Sequence, residues 1–365
     1  MEDSPRMRIV QAVRNFMPKG GMEEYAWHLT KSLVAQGVQV KVLCQRCESE
    51  IPNGVTIDVL PERSRGPGWF RYNGFSIQVK KWRSHHSKAR DIVHSHEFVD
   101  DADLLTFHTN LHGYGERPLL KRMDPSWHFN QWVEKKTVHS SRLKILTPVS
   151  NLLRCQLDNT YPKLGHILSC PVPPGVITPK FKGQNKGTEE PKALGFIGRE
   201  WKRKGLELVI QIFRQLHKKN PRLRLVVAGV DSEELKPLAA DLESQLDVMG
   251  WVKNKELFYQ KVNMVIHPAR LEAFGMVVTE ALARDIPVLV SDQVGAASEI
   301  MEGQGRILPL TSSISEWVNA AEELLKQHRM NTPTYKRSWD QVALEYQELY
   351  GRMLTREQAN ASSGD

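Results

Sequence analysis

The chain has 365 residues and a formal net charge of +8, long enough for two domains of ordinary size. No run of about 18 apolar residues occurs, which argues against a spanning helix, and the start Met1-Glu2-Asp3-Ser4-Pro5-Arg6 lacks the apolar segment of a secretory leader. The four cysteines, Cys44, Cys47, Cys155 and Cys170, are sparse, which fits a reduced cytoplasm better than a disulfide framework.

The elements alternate between strand and helix, the pattern of parallel sheets covered by helices. Met7–Val13 reads as an apolar strand, followed by a loop ending in Gly20-Gly21. Met22–Ala35 places Met22, Tyr25, Ala26, Leu29, Leu33 and Val34 at helical spacing, and Gly37 ends it. Strands are expected at Val38–Leu43, Val55–Leu60, Asp91–Ser95, Leu104–His108 and Lys144–Val149, then a helix from Asn151 capped by Ser150. Residues 171–192 are rich in proline, glycine and polar side chains and mark a linker. The rhythm then restarts: strand Ala193–Ile197, helix Gly205–His217, strand Leu223–Ala228, helix Ser232–Leu242, and strands near Leu246–Met249, Val262–Ile266, Pro287–Val290 and Arg306–Leu308. A late helix, Tyr335–Met353, carries Trp339, Val342, Tyr346, Leu349 and Tyr350 on one side. The expected organisation is therefore a first domain over 1–170, a linker over 171–192, a second domain over 193–334, a terminal helix over 335–356 and a disordered tail over 357–365.

Cys44-Gln45-Arg46-Cys47 is a lone pair without the second set of ligands that zinc requires, and it ends a strand rather than opening a helix. Basic residues concentrate in 61–90, where Arg63, Arg65, Arg71, Lys80, Lys81, Arg83, Lys88 and Arg90 interleave with Trp69, Phe70, Tyr72, Phe75 and Trp82. Two accounts stand. One is an anionic membrane surface; the other is an ordinary amphipathic helix with Phe75, Ile77, Val79 and Trp82 toward the core. No nucleic-acid motif accompanies the charge, so nucleic acid is not expected as a partner.

The most informative stretch is His267-Pro-Ala-Arg-Leu-Glu272-Ala-Phe274-Gly275-Met276-Val277-Val-Thr-Glu280. Two carboxylates bracket a glycine where an apolar strand gives way to a helix. Glycine permits close approach of a ligand to the backbone, and free N–H groups at a helix start face phosphate or sugar oxygens. The inner carboxylate, Glu280, suits a ribose diol; Glu272 is left for a transferred sugar. This is the chemistry of a sugar-nucleotide site. Gly198-Arg199-Glu-Trp-Lys202-Arg203-Lys204-Gly205 follows the first strand of the second half and offers positive charge to a diphosphate leaving group. Gly20-Gly21 occupies a similar position in the first half. Ligands of open parallel sheets bind at the carboxyl ends of strands, and two such domains would set these loops across one cleft. His94 and His96 share a strand face by their spacing, and His108 ends a strand, where an active-site residue of such a fold would lie. A metal site among the histidines is not expected.

These residues resemble the retaining GT-B glycosyltransferases of family 4. Glu272 to Glu280 matches the family's E-x7-E motif. Gly20-Gly21, Asp91-Ile-Val-His-Ser-His96, Leu105-Thr-Phe-His108, Pro148-Val-Ser150, Gly175-Val176 with Phe181, Gly198-Arg199 with Lys204-Gly205, and the Trp339 helix follow in family order. Pro173-Pro174-Gly175 and Arg203-Lys204-Gly205 also look like those of lipopolysaccharide core α-glucosyltransferases. The resemblance implies two Rossmann-like domains facing across a cleft, and a terminal helix that crosses back to the first. It implies that Arg199 and Lys204 bind the donor diphosphate, that Glu280 holds ribose, and that Glu272 with the backbone at Phe274, Gly275, Met276 and Val277 holds the sugar. His108 would lie beside the reacting centre, Gly20 and Gly21 against phosphate or sugar, and Trp251 and Val252 against the base. At the linker, Pro174-Gly175-Val176-Ile177 departs from the family's usual Asn-Gly-Val-Asp, and the loop from Thr109 to Trp127 matches no family element.

The implied activity is a metal-independent hexosyltransferase with no cofactor. It would move a hexose, glucose from UDP being the family's common choice, to a hydroxyl of a glycan or glycolipid such as lipopolysaccharide core, with retention. The expected location is cytoplasmic, at the inner face of the membrane if 61–90 touches lipid. The alternatives are a GT-B sugar-nucleotide epimerase and a non-catalytic sugar- or membrane-binding module of the same fold.

Overall fold

The structure is a computed structural model that describes residues 7–62, 69–88, 90–109, 124–177, 179, 192–326 and 335–362. The chain forms two units, Met1–Gly175 with Arg337–Asp365, and Val176–Lys336.

In the first unit, β1 (Arg8–Ala12), β2 (Gln39–Cys44), β3 (Thr56–Val59), β4 (Asp91–Ser95), β5 (Leu104–Phe107) and β6 (Ile145–Pro148) form a parallel sheet in the order β3-β2-β1-β4-β5-β6. Strands β4, β5 and β6 are buried at every position, and β5 and β6 read as mostly apolar runs. Helices α1 (Met22–Ala35), α2 (Trp69–His86), α3 (Pro125–Val138) and α4 (Asn151–Thr160) belong to this unit. Ser150 accepts from the Leu153 N–H and caps α4 as expected. Helix α2 buries Phe75, Val79 and Trp82 but leaves Ile77 52% exposed. The expectation for Ile77 is therefore corrected. Residues 75, 79 and 82 repeat at helical spacing, whereas 77 lies about 200° around the axis from 75. Trp82 donates to Asp58 at 2.7 Å, and Lys80 and Lys81 are exposed. Arg63 and Arg65 lie outside the described residues, as do the side chains of Trp69, Phe70, Arg71 and Tyr72.

In the second unit, β7 (Ala193–Ile197), β8 (Arg224–Ala228), β9 (Leu246–Gly250), β10 (Met264–His267), β11 (Val288–Ser291) and β12 (Gly305–Leu308) form a parallel sheet in the order β9-β8-β7-β10-β11-β12. Each sheet thus has the 3-2-1-4-5-6 order of a dinucleotide-binding Rossmann fold. The helices are α5 (Trp201–Lys204), α6 (Leu206–Lys219), α7 (Ser232–Ala239), α8 (Glu256–Lys261), α9 (Met276–Leu282) and α10 (Ile314–Lys326). Helix α6 buries Leu206, Val209, Ile210, Phe213 and Leu216 against Phe196, Leu225 and Trp317. The basic stretch before it is not a loop: Lys202, Arg203 and Lys204 lie in α5.

The terminal helix α11 (Trp339–Ser362) belongs to the first unit and packs on α1. It starts later than the expected 335 and runs past 356; residues 363–365 lie outside the described set. Its Trp339, Val342, Tyr346, Leu349 and Tyr350 are all buried. A Cβ on Gly175 would stand 2.5 Å from the Trp339 nitrogen, so glycine is what lets this end of the unit pass so close. Phe181 and residues 110–123 of the unmatched loop lie outside the described residues. Among the described residues no helix is long and apolar enough to cross a membrane.

Gly205 joins α5 to α6 with φ +82°, and a Cβ there would stand 2.2 Å from the Pro268 carbonyl oxygen. Gly205→Ala is predicted to destabilise the protein by about 2 kcal/mol or more, combining left-handed strain with a backbone clash. Gly21→Ala, at φ −86° and with open space around its Cβ, should leave stability nearly unchanged. Urea unfolding of both variants checks the contrast.

Candidate active site

In a sheet of this order the sequence in which strands are added reverses between the first and fourth strands, and their carboxyl ends open a crevice. In the second unit that point lies between β7 and β10. Strand β7 runs into Gly198, where a Cβ would meet Lys204 Cδ at 2.4 Å. The absence of a side chain lets the Lys204 stem cross the strand exit. Gly229 follows β8 at φ +84°, and a Cβ there would stand 3.0 Å from the Gly198 backbone. The strand ends are thereby packed tightly beneath the lysine.

Strand β10 ends at His267, and the acidic loop follows. Its backbone is tied down on both sides of Glu272. The Glu272 N–H donates to the Gln293 carbonyl at 2.9 Å, its carbonyl accepts from Gly295 at 2.9 Å, and the Phe274 carbonyl accepts from Ala296 at 2.7 Å. Gly275, φ +91°, then turns the chain into α9. One carboxylate oxygen, Glu272 Oε2, collects three neighbours: Lys204 Nζ at 3.4 Å, Arg203 Nη1 at 3.4 Å and His267 Nε2 at 3.5 Å. Arg203 also donates to the Leu271 carbonyl and pairs with Glu200. Burial opposes ionisation of Glu272, but Lys204, His267 and Arg203 outweigh it and hold the carboxyl well below the usual carboxylate range. His267 is fully buried, and its Nε2 stands 3.5 Å from Glu272 Oε2, at the limit of a hydrogen bond. Burial holds it neutral, with its pKa lowered despite Glu272.

One turn inside α9, Glu280 is buried and makes a separate ion pair. Lys255 Nζ lies 2.7 Å from Oε1, and the Tyr259 hydroxyl donates to Oε2 at 2.7 Å. Burial raises its pKa and is overcome by Lys255, Tyr259 and Arg284, so the net direction is downward. Arg284 lies over the Tyr259 ring at 4.5 Å and pairs with Glu256. Arg199 lies over the Trp251 ring at 5.4 Å, and Trp251 is 50% exposed. Val252, Met276 and Val277 are half-buried, and Phe274 is buried.

The structure therefore joins Lys204 to Glu272 and Arg199 to Trp251, and gives Glu280 partners of its own. Sequence reasoning did not single out Lys255, Tyr259 or Arg284, and it gave His267 and Arg203 no role. Arg203 lay inside the flagged basic run, and His267 inside the flagged motif. Nothing local marked Lys255 or Tyr259, whose contacts with Glu280 span 25 and 21 residues.

The first unit has its own polar cluster at the equivalent point, between β1 and β4. Gln11, His94, His96, Thr106 and the hydroxyls of Tyr346 and Tyr350 are buried there. His96 Nδ1 lies 3.1 Å from His108 Nε2, and the Tyr25 ring of α1 meets His108 edge-on at 5.1 Å. Gly20, φ +97°, and Gly21 lead into α1; a Cβ on Gly20 would stand 2.6 Å from Glu23 Oε2. Among the described residues no group of three or more His, Cys, Asp or Glu side chains is set to hold a metal ion.

The lowered pKa of Glu272 makes stability pH-dependent in a defined direction. Ionised Glu272 stabilises the fold above its unfolded value of about 4.3, and that contribution is lost as pH falls through the lower folded value. Glu272→Gln should cost roughly 2 kcal/mol at pH 7 by leaving Lys204 and Arg203 without it. The gap from wild type should hold down to about pH 4.5 and shrink on further acidification. Parallel denaturant titrations across pH 2.5 to 7 check the sign.

Against known proteins, residues 19–176 match the model for Glycosyltransferase Family 4, and residues 178–339 match that for Glycosyl transferases group 1. A D-inositol 3-phosphate glycosyltransferase of Corynebacterium aurimucosum is 30% identical over 146 residues, 37% of this chain and 35% of that protein. A D-inositol 3-phosphate glycosyltransferase of Stackebrandtia nassauensis is 24% identical over 357 residues, 84% of this chain and 79% of that one. The matched stretch spans between about a third and a half of the length of the first several relatives. The crystal structure of WaaG, a glycosyltransferase involved in lipopolysaccharide biosynthesis, superposes with a TM-score of 0.76 at 19% identity, covering 93% of this chain and 94% of that one. Two Rossmann-type sheets, a likeness to that structure along nearly the whole chain, and two family models matched in succession lead to one assignment: the chain belongs to the family 4 and group 1 glycosyltransferases and has the GT-B fold.

Proposed function

We propose that the protein transfers a hexose, glucose from UDP-glucose in the first instance, to a hydroxyl of a glycan or glycolipid, with retention at the anomeric carbon. The observation that carries this is the cluster of Lys204, Arg203 and Glu272 at the crevice between β7 and β10. A departing diphosphate develops negative charge, and fixed cations at that point stabilise the transition state more than the ground state. Lys204 is assigned the diphosphate, together with Arg199, which rotates off Trp251 to reach it. Trp251 and Val252 are then left to the base.

Glu280 takes the ribose hydroxyls. Tyr259 keeps its hydrogen bond to Oε2, and Lys255 gives up Oε1 to the diol. Glu272 and the backbone from Phe274 to Val277 hold the sugar. Gly20 and Gly21 are assigned to phosphate or sugar, and His108 to the reacting hydroxyl. The charge supplied by Lys204, Arg203 and Arg199 supports a route that needs no metal. No carboxylate is assigned as a nucleophile. The leaving phosphate takes the acceptor proton as the new bond forms on the same face, which accounts for retention. Excluding water protects the donor from hydrolysis.

A lipopolysaccharide-core or other lipid-linked acceptor is supported by the exposed Lys80, Lys81 and Ile77 on α2, which suit an anionic bilayer surface. Sugar-nucleotide epimerisation is the competing chemistry. It would yield an altered sugar nucleotide with no acceptor present, whereas transfer consumes donor only with acceptor.

Lys204→Ala is predicted to lower turnover by about a hundredfold, measured as nucleotide release at saturating donor. A folded variant with near-normal turnover contradicts the assignment. Glu280→Gln is predicted to raise the donor Kd by roughly tenfold while keeping most of kcat at saturation. Calorimetry and steady-state kinetics separate the two roles, and loss of chemistry at saturating donor would refute them.

A further inference from the structure

We propose that a one-way chain of hydrogen bonds, anchored on the Val172 carbonyl, fixes His108 as the Nε2–H tautomer and so presents its Nδ1 as a hydrogen-bond acceptor for a substrate hydroxyl. The use of that acceptor rests on the transfer chemistry proposed above; the tautomer does not.

The argument starts at a group that cannot donate. The Tyr25 hydroxyl lies 2.9 Å from the Val172 carbonyl oxygen and 3.0 Å from the Tyr346 hydroxyl. Tyr346 lies 2.6 Å from Thr106 Oγ1, and Thr106 lies 2.7 Å from His94 Nε2. Each hydroxyl carries one proton. Burial raises the pKa of Tyr25 and of Tyr346, so both stay protonated phenols. Tyr25 must give its proton to Val172. Tyr346 must then give its own to Tyr25, Thr106 to Tyr346, and His94 Nε2–H to Thr106. Every contact is filled by one proton. In the opposite sense Tyr25 would donate to Tyr346, and the Val172 carbonyl would face a second acceptor at 2.9 Å inside the core, which is costly.

The direction then passes through Gln11. With its proton on Nε2, His94 has an acceptor at Nδ1, which meets the Tyr350 hydroxyl at 2.7 Å and Gln11 Nε2 at 3.3 Å. The amide end of Gln11 therefore faces His94, and its carbonyl faces His96 Nε2 at 2.6 Å. A carbonyl accepts, so the His96 proton is on Nε2 and His96 Nδ1 is an acceptor. His96 Nδ1 faces His108 Nε2 at 3.1 Å, so that nitrogen carries the proton. Burial lowers the pKa of His94 and of His96, and takes His108 to about 3, which keeps all three rings neutral. Among the described residues nothing hydrogen-bonds His108 Nδ1. Gln11, His94, His96, Thr106, Tyr25 and Tyr346 are accordingly positioning residues, and only His108 meets the substrate. Two of them, Tyr25 on α1 and Tyr346 on α11, give the packing of those helices a chemical consequence.

The test is long-range proton–nitrogen correlation NMR on the full chain labelled with 15N-histidine, with His108 assigned through His108→Gln. Between pH 6 and 8 His108 should show an unprotonated, pyridine-type shift at Nδ1 and a protonated, pyrrole-type shift at Nε2 (the window in which a neutral histidine is informative). A pyrrole-type shift at Nδ1 overturns the proposal. Tyr346→Phe cuts the chain from Val172 and should draw the two His108 shifts together as both tautomers populate; unchanged shifts would overturn the claim that the chain sets the tautomer. Tyr25→Phe serves if that variant fails to fold, and the wild-type spectrum decides the tautomer in either case. In the cut variant kcat should fall roughly twofold or more with donor KM unchanged. Full transfer activity in His108→Gln would instead remove His108 from the proposed reaction while leaving the wild-type tautomer in place.

Discussion

The half-buried carboxylate of Glu272 beside Lys204 and Arg203 is the constraint around which the second unit is arranged. A unit charge pair at 3.4 Å is worth about 5 kcal/mol at an effective dielectric near 20, and most of that offsets the cost of removing both charges from water. The pair therefore adds little net stability, but it fixes where positive charge stands. Three local features exist to make it fit. Gly198 clears a path for the lysine stem, Gly205 lets α5 and α6 turn over Pro268, and Gly229 lets β8 end against Gly198. Any anion drawn to Lys204 has to offer it more than Glu272 does, which favours multiply charged anions over single carboxylates.

The two units share one strand order and place their polar groups at the same point of it, yet they solve the burial problem in opposite ways. In the second unit charge is balanced by charge, through Lys204 with Glu272 and Lys255 with Glu280. In the first, the groups are neutral and hydrogen-bonded to one another, from Gln11 through the histidines to the tyrosines of α11. Charged groups suit a leaving diphosphate. Neutral, oriented groups suit an uncharged hydroxyl, whose proton must be placed rather than attracted. The chemical division follows from residue types that the common fold holds at equivalent positions.

Much of this was legible before any coordinates. Every strand of both sheets was located to within a residue or two; several inner ones, buried on both faces, read as apolar runs, whereas the edge strands Thr56–Val59, Leu246–Gly250 and Gly305–Leu308 are only partly buried. The acidic motif, the basic run before Gly205 and the strand-ending His108 stood out because a strand end, a glycine and a charge coincide. What escaped did so for physical reasons. Lys255 and Tyr259 act only through Glu280, and Gln11 acts through histidines 83 and 85 residues away; spacing along the chain carries no trace of such contacts. Ile77 was misplaced because an apolar residue type was given more weight than its angle on the helix. Helix α7 stops at Ala239 and continues as a tighter 3-10 turn over Ala240–Gln245, with Pro237 inside it weakening the last turn. Helix α10 was unassigned although Trp317, Val318, Ala321 and Leu324 repeat at helical spacing and are buried, a signal that was present in the sequence.

The central claim is that the crevice between β7 and β10 receives a diphosphate. A crystal structure of the full chain with a nucleoside diphosphate bound tests it most directly. The account predicts the terminal phosphate within hydrogen-bond distance of Lys204 Nζ, with Glu280 on the ribose hydroxyls. A diphosphate bound elsewhere, with the Lys204–Glu272 and Lys255–Glu280 pairs undisturbed, would contradict it.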